Sequence, residues 1–241
     1  MSWTNYPEPQ SIAQTSILQE LMQNVNNDWQ TLRVGKAFLA MLWGDESLAT
    51  VGEMEDALLK TPSFDLAAKF LLQDPDCAAL IQARYLPPAH DLQALSAYPE
   101  DSLGYIYAKS VTVQGFNPNL HYGMAIDSDA SYVAARLNQT HDIWHAITGF
   151  DASSMGEIAL QAFHLGQFPY PLATMLVANS LVGLTLFEPE HLSPWLEAIA
   201  RGWEMGRQAK SLFAQKWEEN WERSLSQWQE ELNVKPNITS G

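Results

Sequence analysis

The chain has 241 residues, with 28 acidic and 13 basic side chains and a net charge of −15. That charge is repelled by phosphate backbones and anionic lipid, so no nucleic-acid partner and no basic membrane patch are expected. Hydrophobic residues make up 46% and charged residues 17%, the composition of a globular chain with a core of its own.

Residues 1–10 hold no Lys or Arg and no apolar run, so they read as a poorly ordered tail. They match neither a secretory signal nor a transit peptide. Residues 11–26 place Ile12, Ile17, Leu18, Leu21, Met22 and Val25 at helical spacing. A second helix is predicted over 29–43, closed by Gly44, and a third over 47–59. Pro62 stops the third and opens the next. Helices over 64–72 and 76–84 follow, punctuated by Asp74-Pro75 and Pro87-Pro88. The single cysteine, Cys77, lies in an apolar run and reads as a buried, inert thiol that closes no intramolecular disulfide.

Pro99 is expected to open a helix reaching about Val113, before a loop over 115–122. Ser128 and Gly149 have the chemistry to cap a helix over 129–148. The next helix spans 154–166 and ends before Pro169 and Pro171. Residues 172–187 form the most apolar stretch, too short and too interrupted by polar residues for a confident membrane span. Residues 194–233 read as one long or kinked helix. On it Trp217, Trp221, Leu225 and Trp228 would form a single stripe for the core, a homodimer interface or a membrane surface. No strand alternation, repeat or linker interrupts this pattern. The expected architecture is all-α, one single-domain helical bundle.

The chemistry concentrates at His141-Asp142-Ile143-Trp144-His145, followed by Glu157. On a helix, His141, Asp142 and His145 fall within an arc of about 100°. Imidazole and carboxylate donors suit a divalent cation, Zn²⁺ first and Mg²⁺ second, and three ligands leave a position open. Glu157 joins them only if the chain folds back at Gly149. Two histidines at this spacing also occur on polar stripes. Glu157 also fits a capping box with Ser154. His90-Asp91 is a second His-Asp pair, and a helical metal phosphohydrolase built on such a pair would draw on His121 and Asp151. His164 and His191 read as ordinary polar residues. Arg136 suits a phosphate or aryl carboxylate, or else a salt bridge on a solvent face.

The spacing HDxxH, eleven residues, then Glu resembles the signature of the coenzyme Q biosynthesis family named for the fourth Coq protein. Asp101-Ser-Leu-Gly-Tyr-Ile-Tyr-Ala, Gly202-Trp203-Glu204-Met205-Gly206 and Lys216-Trp217-Glu218 are similar to other family segments. They occur in the family's order, over about residues 32–234. The resemblance implies a role in ubiquinone biosynthesis and a metal held by His141, Asp142, His145 and Glu157. It implies a prenylated aromatic acid as substrate and replacement of its C1 carboxyl by a hydroxyl. It also implies membrane association through prenylated precursors and contact with other quinone-biosynthesis enzymes. A bacterial-type cytoplasmic form or a mature chain, peripheral on the inner membrane, is the expected setting. Arg136 stands where the family tends to be basic, whereas Asn138 departs from that tendency. A prenyl tail needs apolar walls, for which Phe38, Leu42 and Leu176 are the candidates. The alternative is a non-enzymatic scaffold that presents prenyl lipids to partner enzymes.

Overall fold

The computed structural model describes residues 29–115, 117–120 and 123–236. The tail, the helix expected over 11–26 and His121 lie outside the described residues. Among the described residues there are eleven α-helices, two 3-10 turns and no strand. The all-α expectation holds, and the buried side chains form one continuous core.

Four helices lead: α1 (Trp29–Leu42), α2 (Leu48–Leu59), α3 (Pro62–Leu71) and α4 (Pro75–Ala83). Their starts are written locally. Ser47 accepts from the Thr50 amide, Asp74 accepts from the Asp76 and Cys77 amides, and Pro62 and Pro75 open their helices. A one-turn helix, α5 (Leu92–Leu95), is capped by Asp91.

The next helix, α6 (Leu103–Gln114), begins later than Pro99 suggested, because Ser102 and not Pro99 caps it. The first turn is fastened to the far end of the chain. The Leu103 and Gly104 amides donate to the Arg223 and Trp221 carbonyls, both at 2.9 Å.

The central element is α7 (Asp129–Thr148), which buries Tyr132, Val133, Leu137, Ile143, Trp144 and Ile147. Ser128 caps it and Gly149, at φ 75°, ends it in the left-handed region that glycine tolerates. Then come α8 (Ser154–Gln167), α9 (Pro171–Phe187) and α10 (Leu192–Gln208). Asn179 on α9 donates to the Phe38 carbonyl at 2.7 Å and ties α9 to α1. No helix among the described residues is long and apolar enough to cross a membrane.

The long helix expected over 194–233 is corrected. It stops at Gln208, and Ala209 is extended. The chain then runs through a 3-10 turn, Trp217–Glu219, to a short helix, α11 (Leu225–Glu231). Long-range hydrogen bonds outweigh local helix propensity in this stretch. Gln167 accepts from the Leu212 amide at 2.9 Å, Arg136 donates to the Gln215 carbonyl at 2.8 Å, and the Leu225 amide donates to Asp101 at 2.8 Å. Trp217, Trp221 and Trp228 therefore do not form one helical stripe. All three are buried within the chain, with Trp221 stacked on Tyr107. Their burial is complete without a second copy or a membrane.

α10 lies close against α8 because glycines line the contact. A Cβ at Gly202 would overlap the Ala159 carbonyl, and one at Gly206 would overlap the Phe163 carbonyl. Backbone cannot yield as a side chain end can. Gly202→Ala is therefore expected to cost about 1–3 kcal/mol or more. Urea unfolding of the variant measures this, and an unchanged midpoint would contradict the close approach.

Candidate metal centre

His141 and His145 project from one face of α7, one turn apart. After Gly149 the chain reverses through a tight turn. Asp151 accepts from the Ser153 amide at 3.1 Å, and the Ser153 hydroxyl accepts from the Gly156 amide at 3.1 Å. Ser153 is thus the cap of α8, one residue earlier than the capping box with Ser154 requires. Gly156 enforces that register, since a Cβ there would overlap the Asp151 carbonyl. Glu157 consequently makes no capping box and turns toward α7.

Three groups converge. Glu157 Oε1 lies 3.0 Å from His145 Nε2, and Glu157 Oε2 lies 3.3 Å from His141 Nε2. The two Nε2 atoms are 3.2 Å apart. One ligand atom from each residue lies within 4.8 Å of the others. His145 Nδ1 is 2.9 Å from the Phe150 carbonyl oxygen, which can only accept. Nδ1 therefore carries a proton, and Nε2 is the ring atom turned toward the group, where the neutral ring would offer a lone pair. A carbonyl that fixes the tautomer in this way is the usual outer partner of a metal-binding imidazole.

The electrostatics follow the geometry. Burial would raise the Glu157 carboxyl, but His141 and His145 hold it well below the ordinary carboxylate range. Burial would lower His141, yet Glu157 and Asp142 raise it. His164 is buried against the Trp144 ring at 4.4 Å, and burial with the nearby His141 lowers it to about 3. It is neutral at physiological pH.

The other candidates are placed elsewhere. Asp142 follows His141 on α7, but its carboxylate lies outside the group of three. Phe38 and Leu176 pack on the margin of the core. Leu42 faces Gly183 across the contact between α1 and α9. Arg136 sits on no solvent face. Its side chain is 1% exposed and grips both Glu218 oxygens, at 2.6 and 3.0 Å.

His90 is buried, with Nδ1 2.8 Å from the Tyr107 hydroxyl, while Asp91 caps α5 and Asp151 is engaged by Ser153. Among the described residues, none of these three joins a metal-capable group, and His121 lies outside the described residues.

Two further residues lie near the centre: His164, expected to be an ordinary polar residue but buried, and Glu55, which the sequence reading did not single out. Glu55 is buried on α2, accepting from Asn138 Nδ2 at 2.7 Å and from the Tyr170 hydroxyl at 3.1 Å. The signal for it exists: Val51, Glu55 and Leu58 share one helical face, and a carboxylate in an apolar stripe needs a reason.

Fold and site together define an all-helical, single-domain protein with, among the described residues, one convergent histidine–carboxylate group on consecutive helices. Residues 22–237 match the family described as coenzyme Q (ubiquinone) biosynthesis protein Coq4, and the chain belongs to that family. It is 30% identical over 200 residues to a Coccidioides immitis protein named ubiquinone biosynthesis protein COQ4, mitochondrial. That match covers 78% of this chain and 65% of the relative. A Mus musculus homologue, also named mitochondrial, is 27% identical over 169 residues, covering 68% of this chain and 62% of its own length. The chain thus spans somewhat less than two thirds of these curated relatives. A crystal structure from Nostoc punctiforme, of a protein provisionally assigned to ubiquinone biosynthesis, superposes with a TM-score of 0.79 at 33% identity. It covers 87% of this chain and 99% of that one.

Proposed function

We propose that this protein acts in ubiquinone biosynthesis by holding a divalent cation between His141, His145 and Glu157 and binding a prenylated aromatic acid beside it. One observation carries the reading. His141 Nε2, His145 Nε2 and the Glu157 carboxylate meet within 3.0–3.3 Å, a convergence of donor atoms that a proton or a cation between them would hold together. The donor set of two imidazoles and a carboxylate fits Zn²⁺, with Mg²⁺ second, and leaves coordination positions for substrate. Asp142, beside His141 on α7, is the fourth candidate ligand.

A bound cation would supply Lewis-acid polarisation of the ring carboxylate. The chain supplies the rest. The Phe150 carbonyl orients His145, Glu157 brings the negative charge, and the α1–α9 seam near Phe38, Leu42 and Leu176 offers apolar wall for the prenyl tail. Arg136 is committed to Glu218, so we assign it to the fold and not to the substrate. The proposed reaction removes the ring carboxyl as CO₂ and places a hydroxyl at the same carbon. Its two-electron oxidant, dioxygen or a second redox cofactor, and the hydroxyl oxygen, drawn from dioxygen or water, come from outside these three residues. The prenyl tail would hold the protein at a membrane surface.

A scaffold that hands prenyl lipids to other quinone-biosynthesis enzymes is the second reading. It is favoured by exposed apolar residues on α1 and α9, among them Leu39, Leu186 and Phe187. Incubating purified protein with a prenylated 4-hydroxybenzoate labelled at the carboxyl separates the two. Release of labelled CO₂ that disappears in His141→Ala supports catalysis. Retention of the lipid by native mass spectrometry, with no CO₂ from the wild type under an oxidant, supports the scaffold.

A further inference from the structure

Glu55 occupies a position that neither folding nor the three-residue group explains. Glu55 is 7% exposed. Both oxygens accept hydrogen bonds, and among the described residues the donors are the neutral Asn138 and Tyr170. Among the described residues no Lys, Arg or His nitrogen forms an ion pair with it, although the chain's other deeply buried carboxylate, Glu218, is gripped by Arg136. A buried carboxyl without a counter-ion is costly unless it stays protonated or a positive charge stands nearby.

The surroundings say where such a charge would be. Asn138 lies three residues before His141 on α7, on the adjoining face. The Tyr170 ring is 5.4 Å from the His164 ring, which in turn lies 6.4 Å from the His141 ring. Glu55 is thus linked to the His141 side of the centre through Asn138 on one hand and through Tyr170 and His164 on the other.

We propose that Glu55 is the outer counter-charge of the cation held at His141, His145 and Glu157, a positioning residue that acts across space and through Asn138 without ligating the metal. The inference rests on the metal reading of that group. The net balance around Glu55 agrees with it: burial raises its carboxyl above the ordinary value, while Asn138, Tyr170 and a charge at His141 work to lower it. A divalent ion would do so more strongly than one imidazolium.

The test is Zn²⁺ affinity, read by competition with a chromophoric chelator, for wild type, Glu55→Gln and Tyr170→Phe. Glutamine keeps the shape and can keep both hydrogen bonds, but carries no charge. Zn²⁺ binding by Glu55→Gln is expected to weaken about 10- to 100-fold, the usual effect of an outer partner. The melting temperature of the metal-free variant is expected to be unchanged or higher, which a purely structural role would not give. Tyr170→Phe keeps the carboxyl and removes one donor, so its affinity falls less, and it serves as the test if Glu55→Gln does not fold. Wild-type affinity in both variants overturns the role of Glu55 and leaves the metal site standing. No Zn²⁺ binding by the wild type overturns the site reading itself, and this inference with it.

Discussion

His145→Ala is expected to abolish stoichiometric zinc binding while leaving a folded protein. The side chain contributes one nitrogen of a three-residue donor set, and no other imidazole among the described residues is placed to replace it. His164 is stacked on Trp144 and is not one of the groups whose ligand atoms converge. Losing an outer partner costs about 10- to 100-fold in affinity, so losing a direct ligand should exceed about 100-fold. Glu157→Ala belongs to the same test. It removes the carboxylate that faces both imidazoles, so the metal-free variant should melt lower. Elemental analysis after dialysis against a low concentration of zinc reads the loss directly. Full occupancy in either variant would mean that the three groups meet for structural reasons alone.

Arg136→Met is expected to be the most destabilising single change in the core. It strands the Glu218 carboxylate, which is 4% exposed and accepts from both guanidinium nitrogens. Breaking a buried pair from one side costs about 3–5 kcal/mol, whereas replacing both partners by apolar residues is often neutral. The double variant Arg136→Met with Glu218→Leu should therefore recover most of the loss in urea unfolding. A single-variant cost below about 1 kcal/mol would contradict this account of the pair.

The pair also has an acid signature. Burial would raise Glu218, but His90 and Arg136 pull it from the ordinary 4.5 to about 2. A carboxyl depressed in the folded state adds stability above its unfolded value, and that stability is lost as pH falls from 4.5 to about 2. Its size is on the order of 3 kcal/mol. Wild type should lose that increment over this pH window, and the double variant should not.

How much of this was legible before the structure depends on the range of the forces involved. α7 was readable to the residue because its signals are local: Ser128 before the helix, Gly149 after it, and apolar periodicity between. The convergence of His141 and His145 followed from helical geometry. The side on which Glu157 would fall did not. It turned on whether Ser153 or Ser154 capped α8, a one-residue difference decided by the packing of Gly156 on Asp151.

The tryptophans misled for a related reason. Their spacing imitates a helix, but hydrogen bonds from Gln167, Arg136 and Asp101 hold that stretch as loop and turn. Arg136 was visible as a functional candidate and its partner was not, because 82 residues separate it from Glu218. Glu55 could have been found, since a carboxylate on the apolar face of α2 violates the pattern around it.

The central claim is that His141, His145 and Glu157 hold a divalent ion. Its most direct test is anomalous diffraction at the zinc edge from crystals grown with one equivalent of Zn²⁺. The account predicts a single strong peak within ligand distance of His141 Nε2, His145 Nε2 and the Glu157 carboxylate. An anomalous map with no peak there, from crystals of protein saturated with zinc, would contradict it.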